Sequence, residues 1–441
     1  MKWKSVVAAL LSVCLVFVLA VGCSQSSNSD GVQGKKGEGS KKSGEKVTLD
    51  FWYGWGGHEG EALEELIKEF NESQDKIVVK GLSQGDYQKQ LTAITGGNPP
   101  DIATQFGSSV APWGVKGAMT PLDDLIAKTD TKLDDFVPAA LETGKYDGVT
   151  YAVPYTMHVN MLFYNKDILK EAGYDEPPET LQELQEYAKK LSVLRKDGSL
   201  ERLGLWPGVD WLTIMHAYGA EFWDTGNNRV TPGHEGVKKG VAFAKEIWDE
   251  YGTANLDRFT ASLGKSMSEQ NPFFSGRYAM AIGGEWTPTF IEKYAPDLNY
   301  GIAPIPYDKD RPDLKNTGNV TTSVLYIPKG VKHPEESWQF LSWLTDKEQM
   351  VKFTAAIGNL PTRMSALDDK GYDKVPGFKE FLEYSKGDNM RSFPSLPFTE
   401  QYISEIAKQY DAILRGKVSF DEAVKKIEDK MQPLADKHYK K

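Results

Sequence analysis

The chain is poor in cysteine. Among 441 residues there are two, Cys14 and Cys23, and both lie within the first 23 positions. No thiol follows them, so the rest of the chain can hold no disulfide framework, no catalytic cysteine and no cysteine-ligated metal. Stability must come from hydrophobic cores, and a composition with 40% hydrophobic residues is sufficient for large ones.

Sequence motifs for metal, phosphate and nucleophilic chemistry are also lacking. The chain has six histidines, and neither His58-Glu59 nor His234-Glu235 is followed by a second histidine at helical spacing. The sequence contains no G-x-G-x-x-G fingerprint, no Walker loop and no G-x-S-x-G elbow. We therefore expect no metal ion, no cofactor and no catalytic residue.

The chain has fewer positively charged than negatively charged residues. The chain carries 52 lysines and arginines against 62 acidic residues, a formal net charge of −10. A surface of this kind should repel nucleic acid and anionic lipid, so we expect no nucleic-acid partner and no membrane binding through the protein surface. Length alone predicts two or three domains.

The N-terminal segment has the pattern of a secretory signal. Lys2 and Lys4 precede an uncharged run over residues 5–21, and a polar segment follows at once. The sequence around Cys23, Leu-Ala-Val-Gly-Cys, resembles a bacterial lipobox, with Leu19 one place earlier than usual. We expect a signal peptide at 1–22, lipidation of Cys23 and a flexible Ser/Gly/Lys tether at 23–45; plain cleavage and release is the alternative.

Strand and helix patterns alternate after the tether. Val47–Tyr53 alternates at the strand period, and residues 61–71 carry apolar side chains at helical spacing. A second strand over 76–82, a helix over Tyr87–Thr95 and a short strand over 101–105 follow. The connections are too long for hairpins, so the order predicts a parallel sheet with helices on its faces. Ligands of such sheets bind at the carboxyl edge, where residues 101–105 would end beside 54–59.

Residues 147–173 look like a passage between two lobes. Two strand signals are joined at Pro154, which has no N–H for a strand ladder, so we expect a central strand to break there. An ordinary edge strand with a bend is the alternative. Residues 300–306, with two prolines, and 358–363 are candidates for a second and a third passage.

These segments together resemble family 1 extracellular solute-binding proteins, the capture lipoproteins of ABC importers, especially the carbohydrate-specific ones. The resemblance rests on an ordered set: the lipobox and tether, FWYGWG, PPDIA, YAVPYTMHVNMLFYNKDIL, AMAIGGEW, SVLYIPKG and GNLPTR. It implies an α/β periplasmic-binding-protein fold in which a three-crossing hinge joins two lobes around a ligand cleft. Lobe 1 would hold 46–154 and 308–358, lobe 2 would hold 155–307 and 363–441, and 359–362 would form the third crossing.

The same resemblance implies a function without chemistry. The protein would capture a carbohydrate by lobe closure at the extracellular face of the bacterial membrane, held there by its lipid, and deliver it to an ABC permease. We expect an oligosaccharide ligand and a monomer. Alternatives left open are a polyamine or phosphoester as ligand, or a glycoside hydrolase, which would need two suitably spaced carboxyl groups.

A sugar site needs aromatic platforms for C–H faces and planar polar groups for hydroxyls. Residues at the expected strand exits and crossings supply both. The candidates are Trp55, Glu59, Asp101, Gln105, Tyr155, His158, Asn160, Trp211, Glu285, Trp286, Asn319 and Arg363. For several a structural role is the alternative: Asp101 as a cap, Tyr155 and His158 as hinge packing, Arg363 as an ion pair between the lobes.

Overall fold

The computed structural model describes residues 46–129, 131–206, 210–265 and 268–439. The predicted signal peptide at 1–22, Cys23 and the tether at 23–45 lie outside the described residues. In the described ranges, no helix combines the length and the apolar character that a membrane crossing requires.

Strands and helices alternate along most of the described chain. The strands are β1 (Val47–Tyr53), β2 (Ile77–Ser83), β3 (Ile102–Phe106), β4 (Lys145–Tyr146), β5 (Val149–Thr150), β6 (Ala152–Asn165), β7 (Val193–Leu194), β8 (Leu200–Leu205), β9 (Trp223–Asp224), β10 (Arg229–Val230), β11 (Tyr278–Gly284), β12 (Tyr300–Ala303), β13 (Gly318–Tyr326), β14 (Leu360–Pro361) and β15 (Met390–Arg391). The helices are α1 (Gly57–Ser73), α2 (Tyr87–Thr95), α3 (Val110–Val115), α4 (Asp123–Ile126), α5 (Pro138–Thr143), α6 (Lys166–Glu171), α7 (Leu181–Lys190), α8 (Trp211–Ala217), α9 (Glu235–Tyr251), α10 (Thr253–Ala261), α11 (Thr287–Tyr294), α12 (Pro334–Leu344), α13 (Lys347–Ile357), α14 (Phe378–Ser385), α15 (Thr399–Leu414) and α16 (Phe420–Tyr439).

The first half of the sheet is built as the alternating pattern predicts. Strand β1 pairs in parallel with β2 and with β3. Helix α1 buries Leu63, Leu66, Ile67 and Phe70, which lie on one face because they recur at intervals of three and four residues. These side chains join Phe51 of β1 in one hydrophobic core.

Strand β6 carries the chain from one half of the sheet to the other. Over its first part it pairs antiparallel with β13, from Ala152 opposite Tyr326 to Val159 opposite Val320. Over its second part, from Asn160 onward, it pairs with β11 and β12. The fold is thus mixed α/β with two lobes, as the sequence analysis expected, and the two lobes share one strand.

The predicted break at Pro154 is wrong. Strand β6 runs through the proline as one element of 14 residues. The pairing with β13 shifts there, since Ser323 faces Thr156 while Val324 faces Pro154, and Tyr155 is the extra residue of a β-bulge. A bulge leaves a residue out of the ladder, so the missing N–H of proline is tolerated beside it.

Strands β8 and β7 complete the second half of the sheet. Strand β11 pairs in parallel with β8, which pairs antiparallel with β7. Helix α7 begins at a capping box, in which Thr180 and Glu183 exchange hydrogen bonds. The helix ends at Lys190, and Leu194 belongs to β7.

An arginine holds the segment after β14 in place. Strand β14 pairs with β6, and Arg363 follows it with only 4% of its surface exposed. The guanidinium donates from Nε to the carbonyl of Thr345 at 2.6 Å and from one terminal nitrogen to Asp135 at 3.2 Å. It also lies 4.4 Å from the ring centroid of Phe136. These contacts are all with other residues of the chain, so the side chain of Arg363 anchors the segment after β14.

Replacing Arg363 with alanine should destabilise the fold. The change leaves the carboxylate of Asp135 and the carbonyl of Thr345 without their buried partner, at a cost of about 3 kcal/mol in the free energy of unfolding. Denaturant unfolding followed by circular dichroism measures this. The control is Lys68→Ala, because Lys68 and Glu72 form a largely exposed pair that should contribute nothing measurable. Equal midpoints for both variants would contradict the anchoring role.

Candidate functional site

A cavity of about 440 Å³ opens where the carboxyl ends of β1 and β3 face β6 and the start of α11. We call it the cleft cavity. Its lining comes from both halves of the sheet and consists of Gly54, Trp55, Glu59, Tyr87, Thr104, Gln105, Phe106, His158, Trp286, Thr289, Phe290, Ser323, Ile357, Gly358 and Asn359. Of the predicted site residues, the structure brings Trp55, Glu59, Gln105, His158 and Trp286 together here.

The turn after β1 shapes one wall of the cleft cavity. The backbone N–H of Gly54 donates to Thr104 Oγ1 at 2.9 Å, which ties this turn to the end of β3. A Cβ at Gly54 would lie 2.6 Å from the hydroxyl oxygen of Tyr87, so a side chain there would displace that ring. The carboxyl edge predicted from the strand order is therefore confirmed as a meeting point of the turn and β3.

Trp55 lies deeper than an exposed platform would. It is 9% exposed and packs edge to face on Phe353 and on Tyr155, with ring centroids 5.0 and 5.9 Å apart. Tyr155 is fully buried and stacks on Phe353 at 4.9 Å. Its hydroxyl has no hydrogen-bond partner among the described residues. Trp55 thus borders the cavity, while Tyr155 supports it from behind.

An acid–base cluster forms the floor of the cleft cavity. His158 Nδ1 lies 2.7 Å from Oε1 of Glu285, whose side chain is completely buried. The backbone N–H of Val159 donates to the other oxygen of Glu285 at 3.4 Å. Both carboxylate oxygens are therefore occupied by the protein, and Glu285 supports the imidazole rather than facing the cavity.

Charges from two elements act on this imidazole. Burial by itself lowers the pKa of His158, but the charge and hydrogen bond of Glu285, with the charge of Glu59, outweigh it and raise the pKa above its usual value. Glu59 lies at the start of α1, in the other half of the sheet. Burial raises its pKa, and the neighbouring His158 and His58 offset part of that rise.

Aromatic rings face each other across the cavity. Trp286 directly precedes α11 and packs edge to face on His158, with ring centroids 5.8 Å apart. On the opposite wall Phe106, at the end of β3, is 50% exposed and lies 5.3 Å from the ring of Tyr87. Half of the surface of Phe106 thus stays exposed at the cavity although its ring packs on Tyr87.

The sequence analysis did not predict several of the residues that line the cleft cavity. They are Tyr87, Thr104, Phe106, Thr289, Phe290, Ser323 and Asn359. Phe106 had a signal, because it directly follows the strand predicted to end at the ligand edge. Thr289 and Phe290 had none, since only the turn of α11 after Trp286 brings them to the cavity.

Other predicted residues lie outside the cleft cavity. Asp101 accepts a hydrogen bond from the backbone N–H of Asp50 at 2.9 Å. Asn160 donates to Asp210 at 2.8 Å, and burial raises the pKa of Asp210 to about 6 although this bond and Thr213 oppose the rise.

Three more predicted residues are also elsewhere. Trp211 packs against Tyr410, with centroids 6.1 Å apart. Asn319 is 6% exposed and borders a separate cavity on the far side of Phe106. Arg363 anchors the segment after β14, as described above. Within the described ranges, no group of three or more His, Cys, Asp or Glu side chains has an arrangement that could hold a metal ion.

Comparisons with known proteins agree on one family. A family model described as bacterial extracellular solute-binding protein matches residues 54–351. The sn-glycerol-3-phosphate-binding periplasmic protein UgpB of Escherichia coli K12 is 26% identical over 385 residues, covering 80% of this chain and 83% of UgpB.

Solved structures show the same architecture. The structure of CpMnBP1 with mannobiose bound has a TM-score of 0.74 at 27% identity and covers 87% of this chain and 99% of its own. The sugar-binding protein MalE from Xanthomonas citri has a TM-score of 0.76 at 22% identity, with 89% and 98% covered. The second likeness is evidence for the fold alone.

The pair of His158 and Glu285 should make stability depend on pH. Since the pKa of His158 is raised in the folded protein, its stabilising contribution is complete below about 6.5, the unfolded value, and disappears as the pH rises through the folded value. The difference in unfolding midpoint between wild type and His158→Gln should therefore be largest near pH 5 and shrink toward pH 9.

The partner variant provides the control. In a Glu285→Gln background the same histidine substitution should lose most of its pH-dependent effect, because the charge that raises the histidine pKa is gone. Denaturant midpoints of the four proteins across this pH series measure it. A constant difference between wild type and His158→Gln at all pH values would contradict the pairing.

Proposed function

Since this chain belongs to the bacterial extracellular solute-binding protein family, we propose that it captures an uncharged carbohydrate, an oligosaccharide, in the cleft cavity and delivers it to an ABC import permease. The chemistry of the lining carries this proposal. The aromatic rings of Tyr87, Phe106, Trp286 and Phe290 supply apolar faces, and Gln105 and other polar groups supply hydrogen bonds. A sugar ring offers the complementary surfaces, apolar C–H faces and hydroxyl edges.

The charges of the cavity favour a neutral ligand over a phosphoester. Among the described lining residues there is no lysine and no arginine, and the charged groups are Glu59 and His158. His158 is already held by Glu285. A phosphate group would therefore meet carboxylate charge without the basic groups that usually hold it. UgpB is named for glycerol 3-phosphate, whereas the ligands named for CpMnBP1, mannobiose and mannotriose, are neutral.

The buried position of Glu285 supports capture without hydrolysis. A glycosidase needs two carboxyl groups that reach opposite sides of one bond. Glu285 is fully buried with both oxygens occupied, and Asp101 lies outside the lining. Glu59 is then the one carboxyl group among the described lining residues. One carboxyl group can contact a hydroxyl but cannot supply both roles.

We infer that capture works by lobe closure. Contacts from α1 and β3 on one side and from α11 on the other would favour the closed state, and only such differential contacts can shift the population. The first crossing would lie in β6 and the third at β14. Asp308 accepts hydrogen bonds from Gln182 and Lys239, so the second crossing would fall in β13, later than the predicted boundary at 307–308.

We also propose that the protein acts at the extracellular face of the membrane as a lipid-anchored monomer. The lipobox-like sequence at Cys23 and the signal pattern before it support the anchor. A tether of 23–45 would let the lobes reach the permease while raising their local concentration there.

Ligand binding tests the proposal directly. A thermal-shift screen of the purified protein against mono- and oligosaccharides, glycerol phosphate and polyamines, with calorimetry on the hits, should select a neutral saccharide. At ~100 times its dissociation constant the ligand should add about 2.7 kcal/mol to stability. Stabilisation by glycerol phosphate or a polyamine alone would show that the ligand class is wrong, and cleavage of the saccharide on prolonged incubation would show an enzyme.

A matched pair of tryptophan variants locates the site. Trp286→Leu should weaken saccharide binding by about tenfold or more, because it removes a large aromatic face from the cavity. Trp343→Leu is the control: Trp343 packs on Phe70 and Phe340, away from the cleft cavity, and should leave the affinity unchanged. If both variants bind as wild type does, the ligand lies elsewhere.

A further inference from the structure

A histidine at the floor of the cleft cavity lies between two carboxyl groups that come from different halves of the sheet. His158 is part of β6, close to the point where this strand exchanges its partner β13 for β11. Glu285, which directly follows β11, holds the imidazole at 2.7 Å. Glu59, in the first turn of α1, borders the same cavity from the other half.

The contact with Glu285 is independent of how far the lobes close. Strands β6 and β11 are direct neighbours in the sheet, with Asn160 opposite Gly284. Glu285 is completely buried, and its second oxygen accepts a hydrogen bond from the backbone N–H of Val159. The imidazole of His158 therefore moves together with the half of the sheet that contains β11.

Glu59 reaches the cavity from the opposite lobe. Helix α1 packs through Leu63 in the same core as Phe51 of β1, in the first half of the sheet. Opening of the lobes thus moves Glu59 away from His158, and closure brings the two side chains together. The attraction between a carboxylate and an imidazolium falls with distance, so it acts mainly in the closed state.

The other titratable groups near this pair do not change with closure. His58 belongs to the same helix as Glu59, and its Nε2 lies 3.2 Å from the carbonyl oxygen of Ala356 in α13, which packs on α1. Burial raises the pKa of Tyr87, so this phenol stays neutral. Among the described lining residues, β3, β13 and the segment after α13 contribute uncharged polar groups, which are Thr104, Gln105, Ser323 and Asn359.

Both partners of the pair can carry their charges at the same pH. Burial lowers the pKa of His158, but the charge and hydrogen bond of Glu285 and the charge of Glu59 outweigh it. Burial raises the pKa of Glu59, and His158 and His58 offset part of that rise. A quarter of the His158 side chain is exposed, so protons can reach the imidazole from the cavity.

We propose that His158 and Glu59 form a charge pair between the lobes that determines ligand affinity, with Glu285 as the positioning residue, so that capture strengthens as the imidazole gains its proton. This inference rests on the proposed function, in which the ligand binds the closed lobes. Closure brings a carboxylate to the imidazole, so the closed form holds the proton more tightly than the open form. By reciprocity, protonation favours the closed form and ligand binding takes up protons.

Calorimetry across a pH series tests the pair. The probe is the neutral saccharide that stabilises the protein most in the thermal-shift screen. Wild-type protein should bind it about threefold to tenfold more tightly at pH 6 than at pH 9, because a tenfold change corresponds to one pKa unit between open and closed forms. Titrations near pH 7 in buffers with different ionisation enthalpies should show net proton uptake on binding.

Two variants distinguish the lobe pair from the pairing within one lobe. Glu59→Gln should abolish the pH dependence of affinity but keep most of the pH dependence of unfolding, which comes from Glu285. His158→Gln should abolish both. His333→Gln is the matched control, because His333 lies 3.9 Å from Glu336 outside the cavity lining, and it should keep the wild-type pH dependence of affinity.

The outcomes separate this inference from the proposed function. If no neutral saccharide binds at any pH, the proposed function fails and the lobe pair with it. If a saccharide binds but its affinity is the same at pH 6 and pH 9, or is higher at pH 9, the lobe pair is wrong while capture stands. The same conclusion holds if Glu59→Gln retains the wild-type pH dependence of affinity or if His333→Gln loses it.

Discussion

Both halves of this molecule share strand β6, and the rest of the structure depends on that sharing. Its hydrogen bonds to β13 hold one half and its hydrogen bonds to β11 and β12 hold the other. The ladder is locally disrupted at the bulge of Tyr155, beside Pro154, which has no N–H to give. The side chain of Thr362 donates to the carbonyl of Pro154 at 2.8 Å, so the segment after β14 is attached at the same place.

The same strand orients the cleft. His158 follows the bulge by three residues, and its partner Glu285 directly follows β11, the neighbour of β6 in the sheet. A buried carboxylate is costly unless its oxygens are satisfied, and here the imidazole and a backbone N–H satisfy both. The position of Glu285 in turn fixes the residue after it, Trp286, at the mouth of the cavity. The pairing register of β6 and β11 therefore brings His158 next to Glu285. Through Glu285, it also sets the position of the Trp286 ring.

Periodicity was enough to predict the regular elements of the first part of the chain. Strand alternation in β1 and the apolar spacing of α1 come from short-range pattern, which packing did not override. Pro154 was misjudged because tolerance of a proline depends on the partner strand, and the bulge that accommodates it involves β13, over 160 residues later. Local sequence carries no information about that pairing.

The same distinction applies to the predicted site residues: some could be placed from local sequence, and others depended on contacts that form only in the folded chain. Glu59, Gln105 and Trp286 could be placed at the cavity because each lies close to the carboxyl end of a strand in the sequence. Arg363 could not, because its direction depends on Asp135 and Thr345, which only the folded chain brings near.

The fold and the individual side chains have different roles in ligand binding. The fold provides the cleft, and the side chains that line the cavity determine which ligand binds there. Lobes, crossings and cleft follow from strand order, and proteins named for quite different ligands can share them. The side chains that line the cavity select the ligand. In this chain those side chains combine rings with hydroxyl and amide groups, and the imidazole of His158 is held by Glu285 beneath it. A site whose described lining holds the carboxyl group of Glu59 but no lysine or arginine gains little from an anionic ligand and much from one that presents apolar faces and hydroxyl edges together.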